Sequence, residues 1–118
     1  MRGNFISVEV FDDKIYTSRG NSIYRFTDID QISNVGSYSE IIVDLKASAD
    51  YLSISKNKSA SVLDKNLIPV HETLPDSTYD FEIQTSFAVE GTSFLATTSF
   101  GILAQPFSSS GFDEIHPE

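Results

Sequence analysis

The sequence predicts an all-β protein made of about three four-stranded antiparallel blades of an incomplete β-propeller. Alternating apolar runs recur in groups of four, short polar turns separate the runs, and the groups repeat at a nearly constant distance. Taking Ile15, Tyr51 and Phe94 as equivalent gives spacings of 36 and 43 residues, the length of one four-stranded blade. The 118 residues then form one partial propeller, 1–118, with blade-like repeats over about 5–36, 40–73 and 81–117.

The first repeat has runs over Phe5–Phe11, Lys14–Ser18, Ser22–Phe26 and Asp30–Ser33. The second has Glu40–Leu45, Tyr51–Ile54, Ala60–Leu63 and Leu67–Val70; the third has Phe81–Phe87, Ser93–Thr97, Gly101–Ala104 and Phe112–Ile115. Alternation is impure. Ile6, Val8 and Val10 share one face of the first run, yet Phe5 and Phe11 lie on the other. A half-solvated sheet gives cleaner alternation, whereas a sheet stacked between neighbours needs two semi-apolar faces.

Turn chemistry agrees. Asp12-Asp13 and Glu90-Gly91-Thr92 join first to second strands, and Arg19-Gly20-Asn21, Lys56–Ser59 and Thr98–Phe100 join second to third. Such residues suit tight antiparallel hairpins. Pro69 in an outer run fits an edge strand, where a missing N–H is tolerated. Val35–Ser39 and Thr73–Thr78 read as crossovers between blades, and Ser108–Gly111 as a loop before the last outer run.

Three blades do not close a ring, since propellers have four to eight. Each terminal blade is expected to leave an apolar face of several hundred Å² bare, a patch of the size that drives association. Either the chain is a fragment of a larger propeller, or copies form a homo-oligomer that buries the exposed blade faces.

Net charge is −9 with a pI near 4.4. That disfavours a nucleic-acid partner, whose phosphates are met by clustered Lys and Arg, and removes polybasic attraction to an anionic membrane. Without cysteine, disulfides and zinc–thiolate sites are excluded. No apolar run approaches the length of a membrane span, and no signal-peptide pattern is present.

No catalytic, cofactor-binding or metal-binding residue is assigned, and no cofactor is expected. His71 and His116 end the outer runs of the second and third repeats, a repeat equivalence that fits blade packing better than a catalytic dyad. His71-Glu72 lacks a second His at helical spacing. Asp12, Asp13, Asp28, Asp30, Asp113 and Glu114 cluster in or beside loops, but Asp28-Ile29-Asp30 is followed by neither the Gly nor the bidentate Glu of a calcium loop. No Gly-x-Ser-x-Gly elbow occurs. The aromatics Tyr16, Tyr24, Phe26, Tyr51, Phe94 and Phe100 are expected in the core between blades rather than on a sugar-stacking surface.

The stretch Val8–Ser18 followed by Ile23-Tyr24-Arg25-Phe26 resembles the repeat of bacterial two-component-regulator propellers, and Gly101-Ile102-Leu103 echoes its Gly-Leu-Tyr element. Within that group, the blade order and the tail Phe112–Pro117 resemble PorZ-type proteins of the type IX secretion system. The resemblance implies a non-catalytic, extracytoplasmic scaffold at the cell surface, its signal peptide lost, with protein partners and anionic lipopolysaccharide or glycan as ligands. The alternative it implies is a periplasmic ligand-sensing propeller of a hybrid two-component regulator. Neither assigns a role to a particular residue here.

Overall fold

The computed structural model describes residues 5–75 and 79–115. Among these residues, twelve strands make three four-stranded antiparallel sheets, each ordered as in the chain. The first blade holds β1 (Phe5–Phe11), β2 (Lys14–Arg19), β3 (Ser22–Asp28) and β4 (Gln31–Ser37). The second holds β5 (Ile42–Ala47), β6 (Leu52–Lys56), β7 (Ala60–Leu63) and β8 (Pro69–Thr73). The third holds β9 (Ile83–Val89), β10 (Thr92–Thr97), β11 (Ile102–Pro106) and β12 (Asp113–Ile115). Strand β5 lies beside β1 on one side and β9 on the other. The sheets thus stack face to face around a common centre, as three blades of an incomplete propeller.

The hairpins form where backbone conformation requires them. Asp12 and Asp13 both take positive φ, 50° and 61°, which twists a two-residue turn to match the right-handed strands. Aspartate tolerates that region better than most side chains. Glu90 and Gly91 repeat the device, at φ 51° and 76°. Gly20 occupies the first turn position after β2 at φ 60°.

Strand bounds shift from the sequence reading by one or a few residues, with Lys56 closing β6 and β5 starting at Ile42, and three segments differ for a plain structural reason. Val35–Ser37 belongs to β4 and not to the crossover: Gly36 is paired with Ile23, and Ser37 with Ser22. Leu67 stands before β8, turned by a positive φ of 61°, with the Asp64 carboxylate accepting the N–H groups of Asn66 and Ile68; β8 therefore starts at Pro69 on the sheet edge and includes Thr73. Phe81 precedes β9 and is buried. It joins Tyr79, Phe100 and Phe112 in a square of edge-to-face rings with centroids 5.0–6.3 Å apart, the arrangement that aromatic quadrupoles favour.

Two cores result. Between the first and second blades, Phe11, Tyr16 and Ile23 meet Ile42, Leu45, Leu52, Ile54 and Leu63 in one buried cluster. Full burial of each such aliphatic or aromatic side chain is worth about 1.5–3 kcal/mol. Between the second and third, Ala60, Ile83, Leu95 and Leu103 form a smaller cluster with Phe81. Serines on the same sheets, Ser53, Ser55, Ser86 and Ser93, are also buried, and Ser55 Oγ lies 2.6 Å from Ser86 Oγ across the junction. Both junctions share one main-chain contact. The Ile42 N–H donates to Gly20 C=O and the Ile83 N–H to Asn57 C=O, each at 2.8 Å.

Candidate interaction surfaces

The side of the first blade turned away from the second is apolar and bare. Val10 is paired with Ile15 and Val8 with Thr17, so these side chains share that side, because cross-strand partners point the same way. Val8 and Val10 are 63% and 67% exposed. Val8, Ile15, Phe26 and Ile29 line a groove of about 600 Å³ on this side, edged by Asp13, Lys14 and Asp28.

The third blade is bare on its opposite side. Phe94 lies between Phe87 and Ala104, Ala96 lies between Thr85 and Ile102, and Ile102 is paired with Ile115. Phe87, Val89, Ile102 and Ile115 are all exposed. Lys46 of the second blade stands at the rim of the shallow groove over Phe87, Phe94 and Ile102.

The aromatics therefore divide. Tyr16 is buried beside Phe11, Phe100 sits in the ring square, and Tyr51 meets Phe107 edge-on at 5.1 Å. Phe26 and Phe94, expected in the core, instead line the two bare faces. They are where inter-blade residues stand in a blade that has a neighbour.

A third, polar groove of about 440 Å³ runs along the outer edge of the second junction, lined by His71, Glu72, Gln105, Phe107 and Ser108 among others. Here β8 is tied to β11. The Gln105 Oε1 accepts from Thr73 Oγ1 at 2.6 Å and lies 2.9 Å from His71 Nε2. The imidazole stacks on Phe107 at 4.9 Å and 14°. Blade packing occupies His71. His116 lies outside the described residues.

Lys56 is a buried cation, only 4% exposed. Its Nζ donates to Ser61 Oγ at 2.9 Å, sits 4.0 Å from Glu72 Oε1, and lies 4.5 Å over the Tyr38 ring. Burial first, and the Glu72 charge second, push the Tyr38 phenol up to about 12. The remaining carboxylates are dispersed: Asp28 caps the Ile29 N–H at 2.7 Å, and Asp44 accepts from Thr85 across the second junction. Among the described residues no three His, Asp or Glu converge as a metal would require.

No family model matches the chain, and no curated protein does. Among solved structures it is similar to the N-terminal domain of Nup159, with 13% identity, a TM-score of 0.63, and coverage of 96% of this chain and 30% of that one. It is also similar to a chain in the S. cerevisiae assembly of a Dbp5 variant with Nup159, a Gle1 variant, IP6 and ADP. That match has 13% identity and a TM-score of 0.62 over 94% of this chain and 29% of the other. At such identity the likeness shows the fold alone. The chain spans about 30% of the length of the solved chains it matches.

Proposed function

We propose that the chain is a non-catalytic scaffold module, three propeller blades that join protein partners through their end faces. The observation that carries this reading is the pair of bare apolar faces, Val8, Val10 and Ile15 at one end and Phe87, Ile102 and Ile115 at the other. Exposed sheet faces of this kind are association surfaces. The Nup159 whose assembly contains a similar chain is held with Dbp5 and Gle1, and an analogous partner-holding role fits this chain. The resemblance of the sequence to PorZ-type proteins supports siting that role in a type IX secretion and attachment complex at the cell surface. A net charge of −9 favours protein partners over direct contact with anionic lipopolysaccharide, since like charges repel.

The polar groove beside His71 and Phe107 favours a second reading, a periplasmic propeller that senses glycans, because an aromatic ring flanked by amide and hydroxyl groups suits a sugar. Titration calorimetry tests both. The scaffold reading expects saturable binding of purified secretion-complex subunits, lost in Ile15→Asp or Phe94→Asp, and no heat from defined oligosaccharides. Oligosaccharide binding lost in Phe107→Ala but kept in Ile15→Asp would replace it with the sensor reading.

A further inference from the structure

The two bare faces are copies of the two halves of a junction that the chain already makes. Counted from the first hairpin turn of each blade, Tyr16 is the third residue of β2 and Phe94 the third of β10, so the counterpart of Phe94 is Tyr16 and not Ile15 as the sequence spacing suggests. Two residues on, Ser18 is paired with Ile23 in the first blade, and Ala96 with Ile102 in the third. Phe11 closes β1 as Val89 closes β9. The buried set Phe11, Tyr16 and Ile23, which the first blade turns toward the second, thus recurs as Val89, Phe94 and Ile102 on the uncovered side of the third.

The other half recurs as well. The second blade receives the first on Leu45, Ala47, Leu52 and Leu63, with Ala47 paired with Leu52 and Leu52 with Leu63. On the uncovered side of the first blade, Val10 is paired with Ile15. Phe26 follows across the sheet, one pair beyond Tyr16 and Arg25. Val8, Val10, Ile15 and Phe26 therefore stand where Leu45, Ala47, Leu52 and Leu63 stand, in apolar residues of similar kind.

We propose that two copies of this chain pair front to back, the third blade of each covering the first blade of the other, to close a ring of six blades. Phe94 and Ile102 then lie against Val10, Ile15 and Phe26 of the partner subunit, as Tyr16 and Ile23 lie against Ala47, Leu52 and Leu63 within one chain. A foreign partner would have to supply the complement of each face separately. A second copy supplies both at once, and a two-fold axis hides both pairs of faces in one closed assembly. This pairing rests on the scaffold reading and names the partner of the same surfaces.

Sedimentation equilibrium on the 118-residue chain tests it. The expected result is a dimer that tightens with added salt, because each copy carries −9 and salt screens their repulsion. Ile15→Asp and Phe94→Asp should each weaken association by about 100-fold or more, since each places a desolvated charge in both junctions of the ring. An equimolar mixture of the two variants should re-form a dimer, because one of its two junctions is intact. The conservative changes Ile15→Leu and Phe94→Tyr should leave the dimer in place, and circular dichroism should show all four variants folded.

A wild-type chain that stays monomeric to about 100 µM, well above the Kd of a stable complex, would overturn the pairing. So would open-ended oligomers, a mixture that fails to associate, or dissociation by only one of the two aspartates, the mark of like faces pairing. A monomer that binds bis-ANS through the two faces would sink self-pairing alone and leave the scaffold reading standing. A monomer that does not bind the dye would end both.

Discussion

Where the first blade meets the second, Phe11 and Tyr16 pack with Leu45, Leu52 and Ile54; where the second meets the third, Ser55 meets Ser86 among Ser53, Ala60, Ala88 and Ser93, all buried. The first junction is held by apolar area. The second sets a smaller apolar cluster, Ile83, Leu95 and Leu103 with Phe81, among small and hydroxyl side chains, and adds polar pairs such as Thr85 with Asp44. One repeat thus supports two kinds of adhesion. The difference teaches that blade stacking needs complementary volume, while the chemistry filling that volume is free to vary.

The largest break should come from the first junction. Leu45→Ala removes a side chain that is 1% exposed and should cost about 2–5 kcal/mol, read as a lower urea midpoint. A volume-matched change there, Leu45→Met, should cost less than about 1.5 kcal/mol.

At the second junction the expected effect is smaller and chemically different. Ser55→Ala strands the Ser86 hydroxyl and should cost about 1–3 kcal/mol. Removing both hydroxyls together should restore most of that loss, because two alanines leave no buried polar group unpaired. A double-mutant cycle in urea checks this: additive losses would mean that the pair does not hold the junction.

Ser93→Ala sharpens the contrast. Ser53 and Ser93 are buried there with no hydrogen-bond partner for their Oγ atoms, an uncompensated desolvation. Deleting the Ser93 hydroxyl should be neutral, or stabilising by up to about 1 kcal/mol, on the same urea scale.

The last effect is confined to high pH. The Tyr38 phenol, ordinarily near 10.0, is pushed up to about 12 in the folded chain by burial and by Glu72. The folded state keeps its proton after the unfolded state has lost it, so the contribution is whole below pH 10 and fades as pH rises toward 12. Tyr38→Phe should flatten that part of the stability profile, followed by urea midpoints across the range.

The strands and hairpin turns were legible in the sequence because both carry local rules: period-two alternation, and residues such as Asp13 and Gly20 that accept positive φ. Val35-Gly36-Ser37 misled because its turn-like composition was overridden by pairing with β3, a non-local fact. Phe81 misled because an aromatic residue beside an alternating run looks like one more strand position. The tie of His71 to Gln105 spans 34 residues and leaves no trace in local pattern, though blade packing was the expected role. The bare faces were anticipated as a consequence of too few blades. Their membership was not, since Ile23 and Ile102 are the same residue type at matched positions and only a neighbour makes one of them core.

The contacts from Ile42 to Gly20 and from Ile83 to Asn57 are made by peptide groups alone. Neither bond uses a side-chain atom, so drift in the side chains around them can proceed while the angular pitch of the wheel is kept. A chain of this design can lose nearly every shared letter with its architectural cousins and still be superposable on them.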